Sequence, residues 1–116
     1  MKRFNYALNG LRLAFRERSV RVHLVIAALV AVAALLLHVS ATEWLAVVLC
    51  VTLVIALEIV NSAVERLATR VSAEWEREIG AVKDLAAGAV LVAGIGSAVV
   101  GCVIFIPKLL NILGVY

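Results

Sequence analysis

Polar side chains lie inside and beside the apolar segments of this sequence, at spacings that could form a catalytic or cation-binding site. Glu58, Asn61 and Glu65 lie at positions i, i+3 and i+7, which places them on one face of a helix. Lys83 and Asp84 come just before the next apolar segment. An ionisable residue within a membrane-length apolar segment costs about 2.5–3.5 kcal/mol, so it marks a functional site by default. Two carboxylates with an amide between them could bind a cation or accept a proton.

The composition indicates that the solvent of this chain is lipid. Of its 116 residues, 65% are hydrophobic, and the mean hydropathy is +1.09. A soluble domain is typically about 45–50% apolar, so these residues cannot form a polar exterior. Cys50 and Cys102 lie inside apolar segments, without disulfide or metal-binding spacing. The length fits a single membrane domain over residues 1–116. The sequence has no Walker-type or kinase-type glycine loop, which excludes the soluble nucleotide-binding folds.

Three apolar segments are long enough to cross a bilayer, which needs about 20 residues. They cover about residues 22–39, 44–66 and 85–106, and Pro107 closes the third. The short link at residues 38–43 makes the first two spans an antiparallel hairpin. We therefore expect an all-α integral membrane fold.

Residues 1–18 predict a basic amphipathic helix lying on the membrane surface. Its apolar side chains recur at i, i+4, i+7 and i+11, namely Phe4, Leu8, Leu11 and Phe15. The basic residues occupy other angles of the helix. Of the eleven Lys and Arg residues, six precede the first span and four lie between residues 66 and 83. The positive-inside rule then places the N-terminus and the 66–84 loop in the cytosol, and the C-terminus outside.

The polar groups are expected at similar depths near the cytosolic face. Glu58 lies eight residues, about 12 Å, before Arg66, which is below the surface but short of the midplane. Glu17 precedes the first span at the level of Glu65, and two carboxylates there would suit Mg²⁺. The deeper Glu58 could take a proton from a lipid hydroxyl. Since three short helices alone would leave Glu58 facing lipid, its burial argues for a homo-oligomer.

These residues also have structural interpretations. Glu65 and Asp84 are compatible with ordinary charges at the level of the lipid headgroups. Asn61 alone is compatible with an interhelical hydrogen bond. His23 and His38 fit the two ends of the first span better than they fit ligands.

A family resemblance becomes clear at these residues. Residues 58–65 and 83–91 resemble the signature of the small bacterial membrane diacylglycerol kinase and undecaprenol kinase family. Residues 17–23 resemble the segment that precedes the first span in that family, and residues 104–109 are similar to the undecaprenol kinase branch. The resemblance covers essentially the whole chain.

The resemblance implies a homotrimeric, three-span kinase with an N-terminal surface helix and with sites between subunits. It implies a multi-pass protein of the bacterial cytoplasmic membrane that serves phospholipid or lipid-carrier metabolism. Such a kinase would transfer the γ-phosphate of MgATP to a membrane lipid alcohol, diacylglycerol or undecaprenol, and would have no nucleic-acid partner. The similarity of the C-terminal segment slightly favours undecaprenol.

The resemblance also assigns roles to individual residues. Glu58 matches the general base and Asn61 an active-site amide. Glu17 and Glu65 match the carboxylates that hold the metal. Lys83 would offset charge in the transferring group. Positions that match ATP contacts, besides the two metal carboxylates, are Tyr6, Glu74, Trp75, Glu76, Lys83 and Asp84. From its residue type alone, Trp75 fits an aromatic belt or a stacking surface equally well.

The sequence departs from the family pattern at a few positions. Thr69 stands where the family commonly has Asp, Glu76 where it has His, and Ser19 where it has Asn. The segment between residues 14 and 17 is one residue shorter than usual, which affects how Tyr6 is placed. Two alternatives therefore stay open beside an active lipid kinase. One is a catalytically weakened family member, and the other is a small oligomeric proton-coupled transporter that uses Glu58 as its carrier group.

Overall fold

The computed structural model describes residues 2–72 and 76–115. Over these residues the chain forms four helices: α1 (Lys2–Ala14), α2 (Arg18–Leu36), α3 (Ala41–Val71) and α4 (Arg77–Ile112). Helices α2, α3 and α4 are each long and apolar enough to cross a membrane. This confirms the expected all-α architecture, in which a short N-terminal helix precedes three candidate spans.

Helices α3 and α4 run antiparallel and touch near both ends. At one end, which we call the polar end, Lys83 of α4 contacts Thr69 of α3. At the other, which we call the turn end, Lys108 of α4 contacts Glu43 of α3. At 1.5 Å per residue, the 31 residues of α3 and the 36 residues of α4 extend about 46 and 54 Å. Both exceed the ~30 Å thickness of a hydrocarbon core, so their ends must reach beyond it.

Few apolar side chains are buried within the chain itself. A small cluster near the turn end, formed by Ala34, Val39, Val47 and Ile104, packs α2, α3 and α4 together. Many large apolar side chains along the three long helices are exposed instead. Such a surface is stable only where lipid or another apolar surface covers it.

The turn from α2 into α3 is defined by backbone hydrogen bonds at the end of α2. The Val39 amide donates to the Ala34 carbonyl, and the His38 amide donates to the Leu35 carbonyl. This is a Schellman motif, which requires a left-handed residue after the helix. His38 takes that conformation, with φ of 52°, and the following Val39 is buried against Ala34.

Helix α3 begins with a capping box. The Ser40 hydroxyl accepts from the Glu43 amide at 3.1 Å, and the Glu43 carboxylate accepts from the Ser40 amide at 2.9 Å. These two bonds satisfy amide donors that a helix start otherwise leaves unpaired. The same carboxylate lies 3.1 Å from the Lys108 ammonium, which joins the start of α3 to α4.

Helix α1 meets α2 at a corner held by one side chain. The Arg21 guanidinium donates from Nη1 to the Phe15 and Arg16 carbonyls, at 3.2 and 3.1 Å. Phe4 and Leu8, on the apolar face of α1, are exposed. An unpartnered apolar face is compatible with the expected location on a membrane surface, which stays a prediction.

The end of α4 differs from the expected one. Helix α4 continues through Pro107 to Ile112. Proline removes a single backbone hydrogen bond, and membrane helices tolerate this loss. The true end is a second Schellman motif, in which Gly114 has φ of 74° and Val115 donates to the Leu110 carbonyl. Pro107 therefore closes the apolar segment without ending the helix, and the bounds of the third span stay a prediction.

The segment expected as a 66–84 loop is largely helical. Helix α3 continues to Val71 and α4 begins at Arg77. The surface helix correspondingly ends at Ala14, and α2 begins at Arg18. Hydropathy marks where the apolar environment ends, whereas a helix can continue beyond it with polar side chains. The connection between α3 and α4 is therefore much shorter than the sequence suggested.

Candidate active site

The site centres on a carboxylate buried between α2 and α3. Among the described residues, Glu58 is the only charged side chain that is buried, with 7% of its surface exposed. The nearest cationic or potentially cationic group is His23 of α2, whose Nδ1 lies 3.6 Å from Glu58 Oε1. A distance of 3.6 Å is too long for a hydrogen bond. The carboxylate therefore retains its capacity to accept hydrogen bonds.

Asn61, about one turn beyond Glu58 on α3, has an unsatisfied oxygen. Its Oδ1 atom is buried and has no hydrogen-bond partner within the described part of the chain. Leaving a buried acceptor unpaired costs about 1–3 kcal/mol. A donor from outside these residues, on a bound molecule or on another chain, would remove that cost.

Glu17 meets α3 at the polar end. Its carboxylate lies 3.2 Å from the Arg66 guanidinium. Glu65, the neighbour of Arg66, is exposed, and within residues 2–72 and 76–115 its carboxylate has no hydrogen bond or ion pair. Glu17 thus contacts the residue that follows Glu65 on α3, and its carboxylate is paired with that arginine in this structure.

The fit of Mg²⁺ to these two carboxylates can be judged from their number. No group of three or more metal-binding side chains occurs in the described residues. Mg²⁺ commonly uses one or two protein carboxylates, keeps several waters and binds substrate phosphates. Glu17 and Glu65 match that requirement in donor type and number, since both offer carboxylate oxygens.

Lys83 is hydrogen-bonded to Thr69, one of the residues that depart from the family pattern. Its ammonium group donates to the Thr69 hydroxyl at 2.9 Å, between α4 and α3. An ammonium group has three donors, so two stay available for phosphate oxygens. A hydroxyl partner orients Lys83 without neutralising its charge. The adjacent Asp84 is exposed and makes no hydrogen bond or ion pair to any described residue.

Of the remaining expected ATP contacts, the structure describes Tyr6 and Glu76. Tyr6 on α1 is 71% exposed. The Glu76 carboxylate accepts a hydrogen bond from the Ser72 hydroxyl at 3.1 Å, across the connection between α3 and α4. Glu74 and Trp75 lie outside the described residues.

An apolar groove runs between α2, α3 and α4. Its volume is about 360 Å³. His23 lines the groove towards the polar end, at the level of Glu58, and Phe105 lines it towards the turn end. Gly94 and Gly101 form part of the α4 wall, and a Cβ atom added at either would meet nothing within 4 Å. The small side chains therefore leave open space here and do not mediate close helix contact within one chain.

His23 is the site residue that the sequence interpretation missed. It was assigned to the end of the first span, yet it faces the buried carboxylate. A signal was present in the spacing. His23 follows Glu17 by six residues, and Glu58 precedes Arg66 by eight. Because α2 and α3 are antiparallel and the Glu17–Arg66 pair joins them at one end, His23 and Glu58 lie at similar depth.

Comparison with known proteins gives a consistent result. The family model described as prokaryotic diacylglycerol kinase matches residues 5–105. A diacylglycerol kinase of Synechocystis is 36% identical over 112 residues, covering 95% of this chain and 64% of its own length. The undecaprenol kinase of Bacillus subtilis is 33% identical over 93% of this chain and 89% of its own length. The diacylglycerol kinase of Escherichia coli is 33% identical over 90% of this chain and 86% of its own length. This chain belongs to the prokaryotic diacylglycerol kinase family.

Proposed function

We propose that this chain is an ATP-dependent lipid kinase that phosphorylates the hydroxyl of a membrane lipid. The family and the names of its relatives support this activity and do not favour the proton-coupled transporter. The observation that carries the proposal is Glu58, a buried carboxylate that has no hydrogen bond to any described residue, located about one turn from the Asn61 amide oxygen, which is likewise unpaired within residues 2–72 and 76–115. These are the groups that a lipid hydroxyl needs for deprotonation and orientation.

In the proposed reaction, Glu58 accepts the proton of the lipid hydroxyl. The lipid oxygen forms a bond to the γ-phosphorus of ATP, the bond from that phosphorus to the β,γ-bridging oxygen breaks, and ADP leaves. Phosphoryl transfer depends mainly on positioning and on neutralisation of charge, so a small set of polar residues suffices. Asn61 orients the lipid hydroxyl, and Lys83 offsets charge on the phosphates. Asp84 completes the nucleotide contacts at the start of α4.

Glu17 and Glu65 are proposed to hold Mg²⁺ at the phosphates. In the structure Glu17 pairs with Arg66, and the side chains of that pair are 30% and 60% exposed. An ion pair this exposed contributes only about 0–1 kcal/mol, so a divalent cation can displace the arginine at little cost. Mg²⁺ would neutralise phosphate charge there. Tyr6, Glu74, Trp75 and Glu76 remain proposed contacts of the nucleotide.

The lipid tail is proposed to lie in the apolar groove. The groove includes His23, which faces Glu58, so a hydrocarbon chain lying there would bring its hydroxyl to the carboxylate. Diacylglycerol and undecaprenol both fit this description. Relatives with both names match at similar identity, and only the similarity of residues 104–109 to the undecaprenol kinase branch separates the two. We therefore rank undecaprenol first.

The assembly is proposed to be a homotrimer in the bacterial cytoplasmic membrane, with α1 and the polar end on the cytosolic side. The distribution of Lys and Arg supports this orientation. The unpaired Asn61 oxygen and the exposed apolar surface of the long helices support a neighbouring subunit. ATP is available on the cytosolic side, where the proposed metal carboxylates lie.

The acceptor can be identified with purified protein in mixed micelles, labelled ATP and a panel of lipid alcohols. Label in undecaprenyl phosphate or in phosphatidic acid identifies the acceptor. Absence of label from every lipid, with a folded and assembled protein, would contradict the proposed kinase and would favour a weakened member of the family.

A further inference from the structure

The ring of His23 is fixed by a hydrogen bond within its own helix. Its Nδ1 atom lies 2.8 Å from the carbonyl oxygen of Ser19, four residues earlier on α2. The same nitrogen lies 3.6 Å from Glu58 Oε1 on α3. A carbonyl oxygen can only accept a hydrogen bond, and so can an ionised carboxylate. Nδ1 must therefore carry a hydrogen, because a bare nitrogen would direct its lone pair at two oxygens.

This arrangement makes the two oxygens of Glu58 unequal. The Nδ1–H bond is directed at the Ser19 carbonyl oxygen, and Oε1 lies 3.6 Å from the same nitrogen, which is beyond hydrogen-bond distance but close enough for electrostatic attraction. Oε2 is left for another donor. His23 also lines the apolar groove, so a lipid chain in the groove would bring its hydroxyl close to this pair.

We propose that His23 is a positioning residue for Glu58, in which electrostatic attraction between the Nδ1–H group and Oε1 at 3.6 Å, without a hydrogen bond, favours one orientation of the carboxylate and leaves Oε2 for the lipid hydroxyl. This inference rests on the proposed role of Glu58 as the base. His23 exchanges no proton in the step, since its Nδ1 already carries a hydrogen and its Nε2 has no hydrogen-bond partner among the described residues. The proton passes from the lipid hydroxyl to Glu58 alone.

The test compares two substitutions of nearly identical shape. In His23→Asn an amide N–H can occupy the place of the Nδ1–H, whereas His23→Leu keeps the branching at Cγ and removes the donor. We expect His23→Leu to lower kcat about 10- to 100-fold, the range in which misplacement of a reacting group by about 1 Å falls. The KM for MgATP should stay within about twofold, and His23→Asn should retain at least about a third of the wild-type kcat. His38→Asn, at the exposed turn end, is the matched histidine control and should be fully active.

Assembly and thermal unfolding are measured on the same preparations to separate positioning from folding. If His23→Leu fails to assemble, His23→Gln replaces it, because glutamine places its amide nitrogen at the ε position and should be less active than His23→Asn. Equal kcat values for the variants with and without the δ donor would overturn the inference, whether both are active or both inactive.

Glu58→Gln in the same assay separates this inference from the proposed function. If Glu58→Gln is inactive and His23→Leu is fully active, His23 has no positioning role while the base assignment stands. If Glu58→Gln is fully active, the base assignment itself fails and the inference fails with it. In the Glu58→Gln background His23→Leu should change residual activity by less than about twofold, because a residue that acts only through Glu58 has no further effect.

Discussion

Replacing Glu58 by glutamine isolates the chemistry of the carboxylate from its shape. Its nearest charged or potentially charged neighbour among the described residues, His23, is 3.6 Å away. The substitution therefore removes no hydrogen bond to those residues, and the usual penalty of about 0.5–1.5 kcal/mol does not apply. The side chain keeps its size in a site that is 7% exposed, which leaves no cavity. Glu58→Gln should therefore fold and assemble like the wild type. Its kcat should fall at least about 100-fold, or about 2.7 kcal/mol in the barrier, as expected for loss of a general base.

The control for this substitution lies on the same helix. Glu43→Gln keeps the capping box, because glutamine also serves at that position, and loses only the partly exposed ion pair with Lys108. Glu43 lies 15 residues, about 22 Å, from Glu58 along α3. The assay is the initial rate of lipid phosphorylation at saturating MgATP, with oligomeric state checked on the same sample. A Glu58→Gln rate within about threefold of wild type would refute the assignment of the base.

Further predictions concern the metal, the lysine and the groove. Glu17→Gln and Glu65→Gln should each raise the Mg²⁺ concentration that gives half-maximal activity. The effects should be non-additive in the double variant, because both carboxylates act through one ion. Unchanged Mg²⁺ midpoints in both single variants would contradict this pairing. Thr69→Val removes the hydrogen bond to Lys83 and should raise the KM for MgATP about 3- to 10-fold with little change in kcat. An unchanged KM would exclude an orienting role of Thr69. Gly94→Leu should place a side chain in the groove proposed for the lipid tail and should lower lipid phosphorylation while the oligomer is retained, whereas Gly96→Leu, an exposed position outside the groove, should preserve activity. Full activity of Gly94→Leu would contradict the location of the lipid tail in this groove.

The general architecture could be predicted from the sequence because lipid imposes a strong constraint. Each span must satisfy its backbone within one helix, so three apolar segments specify three helices. The helix ends could not be predicted in the same way. Pro107 closes the third apolar segment, yet α4 continues through it because a membrane helix tolerates one lost hydrogen bond, and the helix end is set by the left-handed Gly114. Residues beyond the bilayer remained helical since hydropathy does not report on helix continuation.

The candidate site was predictable where it depends on spacing along one helix. Glu58 and Asn61 share a face of α3 by helical periodicity. The structure shows that the carboxylate is buried and that the amide oxygen has no partner in the part of the chain it describes. Contacts between helices were less accessible. The pairing of His23 with Glu58, and of Lys83 with Thr69, depends on how two helices are aligned, which no single segment of sequence specifies.

The central claim is that this chain moves the terminal phosphate of ATP onto a lipid hydroxyl. The most direct measurement incubates purified protein with a lipid alcohol and ATP labelled either at the γ-phosphate or at the α-phosphate, then follows label into the extracted lipid. We predict a labelled lipid phosphate with γ-labelled ATP, no label in lipid with α-labelled ATP, and loss of the γ signal in Glu58→Gln. A wild-type protein that assembles but places no γ-label in any lipid alcohol, or a Glu58→Gln variant that labels lipid as fast as the wild type, would contradict the account.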